Sequence, residues 1–485
     1  MAPDEIPTTV KFPSRSRRGV LLGLTAPQLI VTVLTGTVLL ATLMTRGIVG
    51  AVQFTPLWAV AAAIVVIRYH GRSVADWAPI AIRYWLRRTQ GQLVWLARPS
   101  TRPRREGLLH LPGTAASLRA VTNPSGTIGA VHDPKAGTLT AVTRVSSRAF
   151  ALLDTSTQNA NVAGWGRTLA ALSRSGHIRT IQVIERTVPD SGDSLQRYWA
   201  EHGHPDIPVA GPIYQDLLDA AGPAAAPHEC YIAIALDLKA ARRLIGQAGG
   251  GLSGAFAVLS QITGSLDQSL RGAGLVPGGW LTAQEIAATI RTAYDPHSLA
   301  ALTRWSENGH AQADPAAAGP VVLVEEQTKL RTDSAHHVVY WVEQWPRTET
   351  SAGFLHQVLF ASGVRRSLSL SYNPKALEAA LRDVQRQKAT IVADAAERVR
   401  KGQVESEADG MEYADVKTRE RQLIAGHSDV DFTGLLVISA DTAEELRAAS
   451  ASVETAAVNA GLDLRLLELQ QAEAMTVAAL PLARL

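Results

Sequence analysis

The chain has 485 residues, enough for two or three domains and a large core, with 46% hydrophobic and 19% charged residues. Its single cysteine, Cys230, excludes an intrachain disulfide framework and suits a reduced cytosolic compartment. The net charge of +3 hides an asymmetry: up to Arg105 there are fourteen Lys/Arg against Asp4, Glu5 and Asp76, or +11, which leaves −8 for the rest.

Residues 1–18 are a short polar, basic lead. From Gly19 to Ile67 the only charged residue is Arg46. As helices, Gly19–Thr45 and Gly47–Ile67 would reach roughly 40 Å and 31 Å at about 1.5 Å per residue. A hydrocarbon core is about 30 Å thick, so either run is long enough to cross it. A secretory signal has an apolar stretch of about 7–15 residues and a small-residue cleavage site, which this pattern does not fit. The reading is a transmembrane hairpin over 19–67 that reverses at Met44–Gly47, with Pro27 early in the first run.

The flanks set the orientation. Arg15, Arg17 and Arg18 precede the first run, and Arg68 and Arg72 follow the second. Excess Lys/Arg marks the cytoplasmic side, so both termini and the bulk of the chain are expected in the cytoplasm, beneath the plasma (inner) membrane. Residues 68–106 read as a basic interfacial helix and linker. Trp77, Tyr84, Trp85, Arg87, Arg88 and Trp95 complete the set expected at the headgroup level. The basic charge hugs the spans while the rest is acidic, so the lipid bilayer is the expected partner and no direct nucleic-acid binding is expected.

The soluble part is read as two α+β halves, 107–318 and 319–485. In the first, Thr127–Val131 and Thr138–Val145 alternate as a strand hairpin. Asn159–Arg174 is helical, His177–Val188 is a strand, and two helical pieces (193–202 and 211–221) lead to the strand Glu229–Leu238. Lys239–Arg271 is helical with a glycine interruption. The second half repeats the order: a hairpin from Val321–Gln327 and His336–Gln344, a short helix Gly353–Ala361, and the strand Arg365–Tyr372. A helical pair (375–402 and 411–426) leads to the strand Phe432–Ser439, the helix Thr442–Ala460 and the strand Leu462–Leu467. The expected fold is α+β: the membrane hairpin, then a duplicated, α/β-sandwich-like domain with mostly antiparallel sheets and helices on one face.

Sites of chemistry are sparse. Gly249–Gly254 satisfies GxGxxG but follows a helical run, where a dinucleotide turn needs a preceding strand. Ala255 and Phe256 stand where a phosphate loop needs Lys and Ser/Thr. His202, His204, His228, Glu229 and Cys230 fit no familiar zinc spacing. His336 and His337 point to opposite faces of one strand. Glu325–Glu326 and Glu444–Glu445 read as solvated faces or helix first turns. No catalytic, cofactor or metal site is expected, and the chain is not expected to be an enzyme.

Two parts of the chain resemble components of type IV secretion and conjugation machines. KFPSRSRRGVLLGLTAPQL (11–29) and the following hairpin resemble the two-span, PrgI-like inner-membrane subunit. The soluble region resembles the N-terminal, non-ATPase domain of the TraC/TrbE-type conjugation ATPase. LAALSRSGHIRTIQVIERTVPDSG (169–192), LTAQEIAATIRTAYDP (281–296) and above all the stretch from Arg419 to Leu482 carry that likeness. In that family the ATPase domain follows the Leu480–Pro481 position directly; here five residues, Pro481 to Leu485, follow Leu480. The resemblance implies an integral membrane protein of actinobacterial conjugation-like systems that fuses the membrane subunit to the docking half of the ATPase. The implied partners are a separate hexameric conjugation-type ATPase and other secretion-channel subunits. An EccE-like type VII secretion subunit and a membrane-bound, nucleotide-using transferase are the alternatives.

Overall fold

The computed structural model describes residues 25–69, 71–97, 106–147, 150–188, 199, 202–204, 207–220, 228–307, 314–346, 350–351, 353–361, 363–400, 407–425 and 428–484. They form two compact units, one drawn from Ser14–Val94 and Glu468–Gln470, the other from nearly all the remainder. The helical piece expected at 193–202 falls almost wholly outside the described residues.

The smaller unit opens with helix α1 (Ala26–Gln53). Thr25 and Gln28 close a reciprocal capping box, and Pro27 occupies the first turn, where its missing N–H costs nothing. Gly47 interrupts α1 at φ 64°, a backbone region open chiefly to glycine. The helix resumes and breaks again at Phe54, before α2 (Thr55–Val66). Pro56 causes this second break, because proline cannot donate to Val52 O. Thr55 Oγ1 takes over that carbonyl at 2.7 Å, and Trp58 Nε1 takes Ala51 O at 3.0 Å. The second apolar run is therefore divided, whereas the sequence pattern reads it as one straight span. A two-residue ladder, β1 (Arg68–Tyr69) with β2 (Arg72–Ser73), leads into α3 (Val74–Thr89), which Ser73 caps.

The larger unit is mixed helix and sheet, built on a 13-stranded sheet among the described residues. Its strands are β3 (Val94–Leu96), β4 (Arg119–Thr122), β5 (Gly129–Asp133), β6 (Thr138–Ser147), β7 (Ile178–Thr187), β8 (His228–Asp237), β9 (Leu275–Trp280), β10 (Val322–Glu325), β11 (Leu330–Thr332), β12 (His336–Gln344), β13 (Arg365–Pro374), β14 (Val430–Ala440) and β15 (Asp463–Leu466). The order is β3-β10-β11-β12-β14-β13-β7-β8-β6-β5-β4, with β15 on β12 and β9 on β6. Pairings from β10 through to β4 are antiparallel. Read inward from β4, or inward from β10, the chain lays down strands in the same relative order, and the two series meet at the β7–β13 pair.

Helices cover both faces of this sheet, not one. Toward one face, α8 (Ala283–Tyr294) and α14 (Gln471–Ala478) bury Ile286, Ile290, Met475 and Ala478 against Val142, Ala233, Val339 and Val437. On the other, α4 (Thr155–Arg174), α6 (Arg242–Gln247) and α7 (Gly251–Gly272) pack Leu172, Ile245, Phe256 and Leu259 against Ile181, Ile232 and Ile234. There α13 (Ala443–Asn459) packs Leu446 and Val453 against Tyr340, Leu368 and Ile438. The strand ECYIAIALDL carries apolar residues at consecutive positions for this reason: Tyr231, Ala233 and Ala235 face one core and Ile232, Ile234 and Leu236 the other. The sheet also curls. A methyl group on Gly319, just before β10, would stand 2.4 Å from the carbonyl oxygen of His110, which leads to β4 at the opposite edge.

Outside these layers α5 (Ala210–Ala220) and α9 (Ser298–Glu307) are surface elements, the short α10 (His356–Leu359) adds the buried Val358 to the core beneath α13, and α11 (Leu377–Arg400) pairs with α12 (Glu407–Ile424) around Ala380, Val384, Ile391, Val416 and Leu423.

Candidate functional site

Two places carry features that folding alone does not account for. The first is the helical unit. Ala26–Gln53 is the one helix among the described residues long and apolar enough to cross a bilayer, and none of its most apolar 18-residue stretch is buried. Ile30, Val33, Leu34, Met44, Ile48 and Val49 are each more than 60% exposed, against the rule for large aliphatic side chains in water. Gln28 Nε2 donates to Val65 O at 2.9 Å, and Thr25 Oγ1 to Asp76 Oδ1 at 2.6 Å. These bonds tie the start of α1 to the end of α2 and the start of α3.

The residues expected at the headgroup level are placed unevenly. Arg15, Arg17 and Arg18 lie outside the described residues. Arg68 is exposed, Arg72 is partly so, and Trp77 hands its indole N–H to Tyr69 O at 3.0 Å. On α3, Trp85 is 52% exposed with the Arg88 guanidinium 4.8 Å above its ring, and Arg87 is half-buried nearby. Tyr84 is buried, so its ring is a packing group. Trp95 lies in β3 and packs on the core of the larger unit. Its place in a sheet edge was hidden because the continuous apolar run Leu93–Ala97 reads as a continuation of the basic helix, which in fact ends at Thr89.

The second place is a cleft where β7 and β13 part. Their pairing starts at Ser367 opposite Arg186, so Thr187 and Val188 on one strand and Arg365 and Arg366 on the other lie beyond the last matched pair. A shallow cleft of about 30 Å³ is lined there by Arg186, Arg365, Arg366, Ser367, Thr292 and Ser439, among others. Arg186 is saturated. It grips Glu229 Oε2 through Nε (3.0 Å) and Nη2 (2.7 Å), while Nη1 donates to Thr289 O and Thr292 Oγ1, both at 3.1 Å. Burial pushes the Glu229 carboxyl up, but Arg186, Tyr231 and Arg144 outweigh it and hold the group below its ordinary value.

Ser439 joins this cleft to a buried histidine. Its hydroxyl and His337 Nδ1 are 2.7 Å apart, and His337 Nε2 is 2.7 Å from Thr332 Oγ1. Thr332 in turn donates to Tyr294 O, so its oxygen is left to accept from Nε2–H and Ser439 donates to Nδ1. A serine hydroxyl on a histidine nitrogen is the pairing of an activated nucleophile. Here the orienting partner is a neutral hydroxyl. Burial lowers the His337 pKa to about 4, so the ring is a poor acceptor for the serine proton. The arrangement anchors β11, β12 and β14.

The sequence-level candidates for metal and nucleotide chemistry separate in space. Strand alternation puts His228 and Cys230 on one face with Glu185, and Glu229 on the other. His228 hydrogen-bonds Glu185, burial pushes the Cys230 thiol up to about 12, and no metal-holding group of His, Cys, Asp or Glu occurs among the described residues. Gly249, Gly250 and Gly251 link α6 to α7, with positive φ at all three. Glu325 departs from the solvated-face reading: it is 3% exposed and accepts the Ala472 N–H in the first turn of α14 at 3.2 Å.

Arg186, Arg365 and Arg366 were not singled out in the sequence. The available signal was charge inside adjacent strands that are otherwise apolar or small, HIRTIQVIERTV and RRSLSLSY. No protein-family model matches this chain, and no curated protein is significantly similar to it.

Proposed function

We propose that this protein is a non-catalytic membrane scaffold of a type IV secretion or conjugation-like machine, docking a separate translocation ATPase at the cytoplasmic face. The observation that carries the reading is the apolar surface of α1, which water would not tolerate over that length. The Gln28–Val65 bond supports a hairpin. Its ends lie 19 residues before and 18 after Gly47, so two passes of nearly equal length would return at that glycine. On this reading the chain crosses the plasma membrane twice, with both ends cytoplasmic and α3 lying at the headgroup level.

The matching strand orders on either side of the β7–β13 pair support a sheet built from two copies of one α+β unit. The described residues of the segments that resemble the conjugation ATPase's non-catalytic domain belong to that sheet and its helices. Detergent-solubilised protein should co-purify with a conjugation-type ATPase encoded by the same cell and should hydrolyse no ATP alone. Robust nucleotide binding by this chain, or its release from membranes by alkaline carbonate, sinks the reading.

A further inference from the structure

We propose that one end of the sheet in the larger unit binds an anionic lipid surface, with Arg119, Lys135, Arg179, Lys239, Arg242 and Arg243 as its headgroup contacts. Lipid is near on the membrane-scaffold reading, on which this proposal rests, and the contact concerns residues of the larger unit alone.

Topology gathers these side chains. In the antiparallel run β4-β5-β6-β8-β7, the starts of β4, β6 and β7 and the ends of β5 and β8 share one end of the sheet. Arg119 opens β4 opposite His132, Lys135 sits in the β5–β6 turn, and Lys239, Arg242 and Arg243 follow β8 into α6. Backbone bonds hold the pieces together: Asp237 N–H donates to His177 O at 2.8 Å, and Leu238 N–H to Gly137 O at 2.9 Å. Arg179, near the start of β7, reaches across to Ala136 O through Nη1 at 2.8 Å.

The charge there is not neutralised. All six side chains are exposed, and none forms an ion pair among the described residues. Two acids share the same turns but are committed elsewhere. Asp133 is 2% exposed, accepts the Lys135 and Ala136 N–H groups through Oδ1 and pairs with Arg484 through Oδ2. Asp237 Oδ1 accepts from the Lys239 and Ala240 N–H groups. Farther along this end, Asp429 and Asp431 are held by Arg419 and Lys375. The His132 ring registers the surplus: burial first, then the Arg119 charge, hold it below its ordinary value against the pull of Asp133.

A long polyanion would meet the acidic remainder of the domain as well as this end. A planar headgroup layer meets this end alone, and charges more than about 10 Å away are screened from it. Leu244, beside Arg243, is 38% exposed, and Leu252, at 41%, opens α7 where that helix packs on α6 through Gly254. Cations interleaved with leucines suit the boundary between headgroups and acyl chains. A protein partner calls for aromatic anchors and disfavours lysine, and a nucleic acid calls for stacking rings. Apart from histidine, residues 132–137, 175–179 and 237–244 contain no aromatic side chain.

The test places the full-length protein in lipid nanodiscs of phosphatidylcholine alone or of phosphatidylcholine with phosphatidylglycerol. Acetylation of Lys135 and Lys239 by an amine reagent is followed by mass spectrometry, with Lys329 of the β10–β11 turn as the reference. Both lysines should react at least threefold more slowly in the anionic discs, and high salt should abolish the difference. Arg242→Gln combined with Arg243→Gln should at least halve that protection with Tm unchanged, since both side chains are exposed. No slowing relative to Lys329, or protection unaltered in the double variant, overturns the assignment. So does stronger protection by a DNA duplex in phosphatidylcholine discs than by phosphatidylglycerol, which gives the face to nucleic acid. Failure to enter discs refutes the scaffold reading separately, and sedimentation with phosphatidylcholine–phosphatidylglycerol vesicles then decides. Binding weakened in the double variant sustains the lipid face, and absent or unaltered binding overturns it.

Discussion

Gln182 in β7 and Ala483 near the C-terminal end of the chain are 301 positions apart and directly bonded: the Ala483 N–H donates to Gln182 Oε1 at 2.7 Å. The same amide donates through Nε2 to Ser369 Oγ at 2.9 Å and to Val477 O at 2.8 Å. Gln182 is fully buried, so one side chain in the central strand pair holds β13, the end of α14 and the terminal segment together. Leu480 and Leu482 then fill the core beside Val142, Ala233, Val339 and Val437.

Gln182→Leu keeps the volume and removes every polar partner. The Ala483 N–H and the Ser369 hydroxyl are left buried without a mate, at about 1–3 kcal/mol each, so a loss of about 3 kcal/mol is expected. Urea denaturation of the larger unit is the measurement. A loss below about 1 kcal/mol would mean that water replaces the amide at no cost, and that the residue does not pin the terminal segment.

His337 sets an acid limit on stability. Burial lowers its pKa to about 4 from an ordinary value of 6.5, so the folded state binds the proton more weakly than the unfolded chain. Its contribution is therefore fully present above pH 6.5 and is lost as pH falls from there toward 4. Thermal unfolding should show Tm falling across that window. His337→Gln should flatten that part of the profile while lowering Tm at pH 7, because the Thr332–His337–Ser439 chain is broken. An identical pH profile in the variant would assign the acid sensitivity to other groups.

The sequence made much of this sheet legible, because strand alternation and proline stops survive any tertiary context. HIRTIQVIERTV and FTGLLVIS appear as strands close to their read limits. β9 was not legible: LVPGGW carries the composition of a turn, and it becomes a strand only because β6 offers it an edge. RRSLSLSY reads as a strand with a polar outer face, yet Ser369 and Ser371 are buried beneath the C-terminal segment. Alternation reveals two faces but not whether a distant helix will cover the polar one. The cleft was hidden for the same reason, since its arginines come from β7 and β13, strands far apart in the chain that meet only in the folded sheet.

Gly129 marks another long-range contact that residue type alone does not disclose. A methyl group there would stand 2.1 Å from Ala283 N and 2.4 Å from the Thr282 carbonyl carbon, so the start of α8 rests on bare β5 backbone. Backbone on both sides cannot yield as a side chain could. Gly129→Ala should therefore cost more than about 3 kcal/mol, the scale of a severe core lesion. Gly137→Ala is the contrast. It meets nothing within 4 Å and pays only for its φ of +67°, about 1 kcal/mol. Comparable losses in the two variants would contradict close packing of α8 on β5.

Leu34 separates a membrane span from a helix that merely happens to be exposed. It is 64% exposed on α1 and distant from Gly47 and both ends of the helix. In water, Leu34→Lys at such a site changes stability by no more than about 0.5 kcal/mol and improves solubility. In a bilayer the same lysine near the middle of a span costs about 2.5–3.5 kcal/mol of insertion free energy. The expected outcome is a clear shift of Leu34→Lys from the membrane pellet to the soluble or degraded fraction, while Arg46→Lys, which keeps the charge beside Gly47, fractionates like the parent. A lysine at position 34 that leaves the protein fully in the pellet after carbonate washing would place α1 outside the hydrocarbon layer. The anchor would then have to come from α3, whose exposed Ile82, Trp85 and Leu86 sit beside Arg88.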